Sequence, residues 1–234
     1  MVSDARREVS SLRPRSYRSP NRQAQARRTR GRILAAASEL FRAGGYAGTT
    51  MAGVAGAAGV SVPAVELAFG TKAALLKAAI DVAIAGDDEP VPVLERPWAA
   101  RAHAAATAEE FLGVVAETLV AAAERSDALV LAAFEAARSD ERLAPIADQL
   151  KTQRAVTAAW IVDGLSGRVP LRTGVDRAGA IDVVWLLMEP AVFDRLITDR
   201  GWTPQRFGTW FANSALQLLT ACSDNQPGPP ETPR

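Results

Sequence analysis

The sequence predicts an all-α protein of two lobes, an N-terminal three-helix domain containing a helix-turn-helix and a larger C-terminal helical bundle. Three observations predict it. Apolar residues recur at helical spacing from Ile33 to Cys222, and no alternating strand pattern occurs. Glycines stand where helices should stop, and serines or threonines where they should start. One segment, residues 85–97, holds three prolines and an acidic cluster and therefore reads as the connection between lobes. A composition that is 48% apolar supplies enough material for one small core and one larger one.

The elements follow in order. Ile33, Ala37, Leu40 and Phe41 form one face of a first helix over 27–43, which Gly44-Gly45 ends. Thr49-Thr50 caps a short helix over Met51–Ala58, and Gly59 terminates it as the residue best able to adopt positive φ. Ser61 is the next cap, and Pro63 sits in a first turn where its missing N–H costs nothing. Val62, Val65 and Phe69 give that third helix, 62–69, its apolar face. Gly70 stops it and Thr71 caps a fourth, whose buried stripe is Leu75, Leu76, Ala79, Ile80 and Ala83. Beyond the connection, helices are expected near 107–124, 127–138, 145–165, 176–199 and 204–222, the last followed by a Pro/Gly-rich disordered tail, 224–234. The domain boundaries are therefore a basic arm over 1–24, the helix-turn-helix domain over 25–84, the connection, and the second lobe over 98–223.

Charge is unevenly placed. Residues 1–32 carry ten arginines against Asp4 and Glu8, so this end is strongly basic while the rest of the chain is acidic, although the whole is only +1. A basic pole on an acidic protein points to a polyanionic partner, nucleic acid first. The same arm over 1–22 also reads as a solubilising disordered segment, since it is rich in Ser, Pro and Arg and lacks apolar periodicity. Cys222 is the single cysteine and reads as a small core residue. His103 is the single histidine. No disulfide, multi-cysteine zinc site or histidine-based triad can be built from these, so neither a cofactor nor an enzymatic activity is expected. No long apolar stretch or secretory leader is present, so the expected location is cytoplasmic.

Two short helices joined by a tight glycine turn and braced by a third form the geometry that sets a recognition helix in the major groove of DNA. The spacing Gly53-x-x-Gly56-x-x-Gly59 is no dinucleotide fingerprint, because no strand precedes it and the glycine order is wrong. Each internal glycine costs roughly 1 kcal/mol relative to Ala, so a two-turn helix carrying Gly53 and Gly56 must be held by its neighbours.

The stretch ILAAASELFRAGGYAGTTMAGVAGAAGVSVPAVELAFGTKAALL also resembles the tetracycline-repressor (TetR) family of bacterial regulators. Phe41, Tyr46, Thr49, Thr50, Ala58 to Ser61, Phe69, Lys72 and Leu75 fall where that pattern has its marked residues. The resemblance covers about 25–84 closely and the remainder loosely. It implies a DNA-binding regulator, by default a repressor. Arg28, Thr49, Thr50, Thr71 and Lys72 would hold the phosphate backbone, and Ser61, Val62, Pro63, Ala64, Glu66 and Leu67 would read bases. Glu66 and Ala68 depart from the family pattern, which has a tyrosine and a histidine or aromatic there. A carboxylate facing phosphates weakens binding unless it meets a cytosine amino group, so the arginines at 22–32 are expected to supply the missing attraction.

The second lobe holds all five tryptophans. The family likeness implies that helices 176–199 and 204–222 meet a second copy in a four-helix bundle, giving a two-fold homodimer. The candidate interface is Ile181, Val184, Met188, Val192, Phe207, Phe211, Ala215 and Leu218. It also implies an unknown small-molecule effector among the middle helices, with Trp98, Arg101, Trp160, Trp185 and Glu189 as candidate lining residues. Pro190 inside helix 176–199 should kink it. Two rival readings stand beside the regulator. A dimeric helical enzyme would show turnover, and a nonspecific nucleic-acid binder would lose binding with the arm.

Overall fold

The structure, a computed structural model, describes residues 20–221, with side chains from Arg22. Cys222, residues 1–19 of the basic arm and the 224–234 tail lie outside the described residues. Within them the chain is helical throughout, apart from an isolated bridge between Leu171 and Thr220.

Helix α1 spans Pro20–Gly48 and breaks at Gly45, which takes φ 62°. The glycine stop is therefore where the sequence placed it. The start is earlier than Arg27, and residues 20–24, expected in the disordered arm, are helical. Gln, Ala and Arg in 22–28 are good helix formers, and Pro20 occupies a first-turn position that needs no N–H. Helix α2 (Met51–Ala58) is capped by Thr50, whose hydroxyl accepts from Gly53 N at 3.0 Å, and Gly59 ends it at φ 63°. Helix α3 (Val62–Phe69) ends at Gly70, and α4 (Lys72–Ala85) is capped by Thr71, which accepts from Ala74 N at 3.1 Å.

The connection is more ordered than its prolines imply. It contains a 3-10 turn, Val93–Glu95, and runs into α5 (Pro97–Ala104), a helix the sequence reading missed. Its alanines bury only at Ala99 and Ala102, too few to register as a stripe. Helix α6 (Ala108–Ala136) opens with a capping box between Thr107 and Glu110 and continues unbroken where two helices were expected. Ser126-Asp127 looks like a stop, yet Ser126 is buried and the helix passes through.

Helix α7 (Ala144–Ser166) and α8 (Arg177–Leu187) follow. The expected kink at Pro190 is a full break. Glu189, preceding proline, is extended (φ −66°, ψ 125°), and Pro190 begins the short α9 (Pro190–Asp194), which passes into a π-helical turn over Arg195–Asp199. Helix α10 (Pro204–Leu219) closes the described fold.

Two cores result. The first gathers Ile33, Phe41, Val54, Val65, Leu75, Leu76 and Ile80, and is sealed beneath by Leu129, Ala133 and Leu143. The end of α6 and the start of α7 are thus the floor on which the N-terminal head stands. The second core packs Phe111, Leu112, Ile161, Leu165, Val184, Phe207 and Phe211. Gly164 is obligatory there, since a Cβ would enter the Phe111 ring. Arg168 covers that ring at 4.5 Å and donates to the carbonyls of Ala102, His103, Ala105 and Gly164, satisfying the end of α5.

Candidate nucleic-acid interface and interior cavity

Helices α2 and α3 bend by 107° across the Gly59 turn, within the range of a helix-turn-helix. Val65 anchors α3 in the first core, while Val54, Ala55 and Ala58 anchor α2. Helix α3 therefore has one inward side and one free side. Ser61, Pro63, Glu66 and Ala68 are exposed, Val62 and Ala64 half-buried, and Leu67 stands 91% exposed. Ser61 makes no side-chain capping bond, so its hydroxyl is available.

The expected backbone contacts divide into two groups. Thr50 and Thr71 are exposed and spend an acceptor lone pair on capping, which leaves each hydroxyl proton to donate. Arg22, Arg27, Arg28 and Arg32 are exposed along α1, and an Arg32 guanidinium nitrogen lies beside the Gly59 turn.

Thr49 and Lys72 require correction. Thr49 is buried and its hydroxyl donates to Gly45 O at 2.8 Å, closing the break in α1. Lys72 points back onto the end of α1, donating to Tyr46 O at 2.8 Å and Thr49 O at 2.9 Å over the Tyr46 ring. Burial, then the Arg142 charge, pulls its ammonium below the usual lysine range. Lys72 is thus a cap holding the helix-turn-helix in place, with its charge engaged by protein carbonyls.

Arg30 is likewise engaged. Its Nε donates to Asp88 at 2.7 Å, and its guanidinium lies 4.6 Å from the centre of the Phe69 ring at the end of α3.

Beneath the head is a cavity of about 870 Å³, bounded by the end of α4, the connection, and α6, α7 and the α8–α9 break. Its wall is largely apolar, with Leu94, Trp98, Leu119, Phe134, Ile161 and Phe193. The connection is held against it by Arg96, which grips Asp87 through two bonds of 2.6 and 2.9 Å and holds that carboxyl down at about 2. Arg125, also in the wall, donates to Ala83 O and Ile84 O at the end of α4.

Of the expected lining residues, Trp98 and Glu189 border this cavity and Arg101, Trp160 and Trp185 do not. Arg101 is exposed beside Glu117, and Trp160 packs in the second core against Trp98, His103 and Phe111. Trp185 sits under Arg154 and donates from its indole to Lys151 O. The sequence reading missed Asp127 and Arg154. Asp127 lies between the charged pair Glu124-Arg125 and the apolar run Ala128–Phe134, and no short-range signal gives the direction of its side chain.

The expected dimer residues also need correction. Val184, Phe207, Phe211 and Ala215 are buried inside a single chain, and Met188 and Phe207 border the cavity. Ile181 and Val192 pack half-buried on the second core. On α8 and α10 the apolar side chains facing outward are Leu186, 59% exposed, and Leu218, 46% exposed. Helical spacing yields both stripes, and only packing distinguishes the inner from the outer.

Comparison with known proteins agrees with this architecture. Residues 33–79 match the family model described as bacterial regulatory proteins, tetR family. No curated protein sequence matches the chain at a significant level. Among solved structures, the transcriptional regulator FadR from Bacillus subtilis in complex with stearoyl-CoA is similar with a TM-score of 0.64 at 17% identity, over 80% of this chain and 98% of that one. A putative TetR-family regulator from Rhodococcus sp. gives 0.62 at 14% identity, over 82% and 99%. NalD of Pseudomonas aeruginosa, the secondary repressor of the MexAB-OprM multidrug efflux pump, gives 0.59 at 19% identity, over 85% and 99%. At these identities the likeness is one of fold, and it extends through both lobes. The family match itself is confined to the helix-turn-helix, residues 33–79, and beyond it the chain shares the fold of these regulators.

Proposed function

We propose that the protein is a ligand-responsive transcriptional repressor that binds a near-palindromic operator as a homodimer in the cytoplasm. The observation that carries this reading is the outer face of α3. A helix anchored by Val65 presents Ser61, Pro63, Glu66 and a fully exposed Leu67 beside capped helix ends. A leucine in water gains nothing from the monomer, and on DNA it buries against thymine methyl groups. Ser61 and Glu66 supply hydrogen-bonding groups for base edges, with Glu66 matched to a cytosine amino group. Val62, Pro63 and Ala64 shape the apolar remainder. Thr50 and Thr71 donate to phosphates on either side, and Arg28 with its α1 neighbours provides the positive field.

A dimer joined through the outward face of α8 and α10, with Leu186 and Leu218 at its centre, would carry two such heads. Half-sites one duplex turn apart, about 34–36 Å, then give the operator its near-palindromic form. The cavity supports control by a small molecule, as its volume is in the range of ordinary ligand sites. FadR from Bacillus subtilis, of similar fold, has been solved with stearoyl-CoA bound.

Selection from randomised duplex DNA at near-physiological salt tests the reading. The expected result is one enriched inverted repeat bound by two chains. Binding without an enriched motif, vanishing as salt rises, would leave only the arginines and overturn it.

A further inference from the structure

One end of the cavity gathers two carboxyl groups around one guanidinium. Asp127 comes from the middle of α6, Arg154 from α7 and Glu189 from the α8–α9 break, and all three border the cavity. Arg154 is already committed, donating through Nη2 to Glu189 and lying 4.0 Å from the centre of the Trp185 ring. No basic side chain among the described residues forms an ion pair with Asp127. Burial, then the Asp194 and Glu189 carboxylates, pushes the Asp127 carboxyl up to about 8 against the opposing pull of Arg154. Arg154 is held by Glu189, which leaves Asp127 without a cation of its own at this end of the cavity.

We infer that the cavity takes an apolar molecule bearing a basic nitrogen, its ammonium against Asp127 and its hydrocarbon along Leu94, Leu119, Phe134 and Ile161. This rests on the ligand-responsive reading above and names the chemical class of the ligand. An amine takes the proton of the half-buried Asp127 carboxyl and leaves an ammonium–carboxylate ion pair, the arrangement in which a partly desolvated charge is tolerated. A carboxylate ligand brings a third carboxyl group to the same corner. The Arg154 side chain is only 9% exposed, and its Nε is the buried side-chain polar atom without a partner among the described residues. A neutral oxygen on the same ligand answers that donor without adding charge.

Decylamine, decanol and decanoate carry equal hydrocarbon and differ only at the head, so isothermal titration calorimetry of the full chain with each, below micelle formation at pH 7, tests the assignment. Decylamine is expected to bind at least tenfold more tightly than decanol, and decanoate more weakly than either. Asp127→Asn should remove the decylamine advantage and leave decanol within twofold. The wild-type ranking decides the matter even if the variant is compromised. Tightest binding by decanoate, or decylamine binding unchanged in Asp127→Asn, overturns the inference and leaves a ligand-responsive regulator standing. Binding of none of the three overturns the inference and the effector role of the cavity together, while the DNA-binding reading is judged separately by duplex selection.

Discussion

The two lobes handle polar side chains in opposite ways. In the head, buried residues are apolar except Thr49, and the polar groups around it cap helix ends: Thr50, Thr71 and Lys72 each satisfy backbone atoms that no helix can satisfy itself. In the second lobe, Asp127, Arg154 and Glu189 are turned inward around empty volume. The head spends its polar chemistry on rigidity, which base reading requires. The second lobe leaves part of its own unsatisfied, which occupancy by another molecule can repair.

The largest effect should come from breaking the dense lobe. Phe41→Ala removes a ring that is 1% exposed at the centre of the head and is expected to cost about 3–5 kcal/mol, abolishing operator binding. Chemical denaturation with a DNA-binding assay checks both. The opposite sign is expected in the other lobe.

In the folded chain the Asp127 carboxyl titrates at about 8 against an ordinary 3.8. Between about pH 4 and pH 8 the folded state therefore holds a proton that the unfolded state has released, and stability falls as pH rises through that window. Asp127→Asn should raise stability by roughly 2 kcal/mol at pH 8, some 4–8 °C in Tm, and have little effect near pH 4. Thermal scans at the two pH values decide it, and equal shifts at both would mean that Asp127 is not buried as an acid.

Gly164→Ala drives a methyl into the Phe111 ring and should cost about 1–3 kcal/mol in the second lobe. Lys72 sharpens the comparison further. As a cap its mutation to alanine should cost roughly 1–2 kcal/mol of stability and lower Tm, with no change in the salt dependence of DNA binding. Arg28→Ala is the smallest and the reverse, with stability within about 0.5 kcal/mol of wild type and a salt slope reduced by about one ion. If Lys72→Ala alters the slope instead, Lys72 reaches phosphate when DNA is bound.

The head was legible because its signals are local. A threonine cap, a glycine at positive φ and the interval between them fix α2, α3 and α4 within one or two residues of each other, whatever the rest of the chain does. The cavity was not legible, because it depends on where the 86–96 segment travels and which way Asp127 and Arg154 point, and neither is written in any short window. Helix α8 shows the same limit. Val184 and Leu186, two residues apart, lie on opposite faces, and both are apolar, so the pattern alone does not say which face is the core; Val184 is buried and Leu186 is in water. Pro190 did announce itself, but whether a proline bends or breaks a helix is decided by what packs on either side.

Asp88 borders the cavity, and Phe69 is the last residue of α3. A single guanidinium, that of Arg30, touches both. One side chain thus joins the segment that borders the cavity to the last turn of α3. Its two joints are of different kinds, an ion pair that salt loosens and a ring stack that salt leaves alone. Rising salt therefore weakens the hold of Arg30 on the connection while leaving its hold on the end of α3 in place.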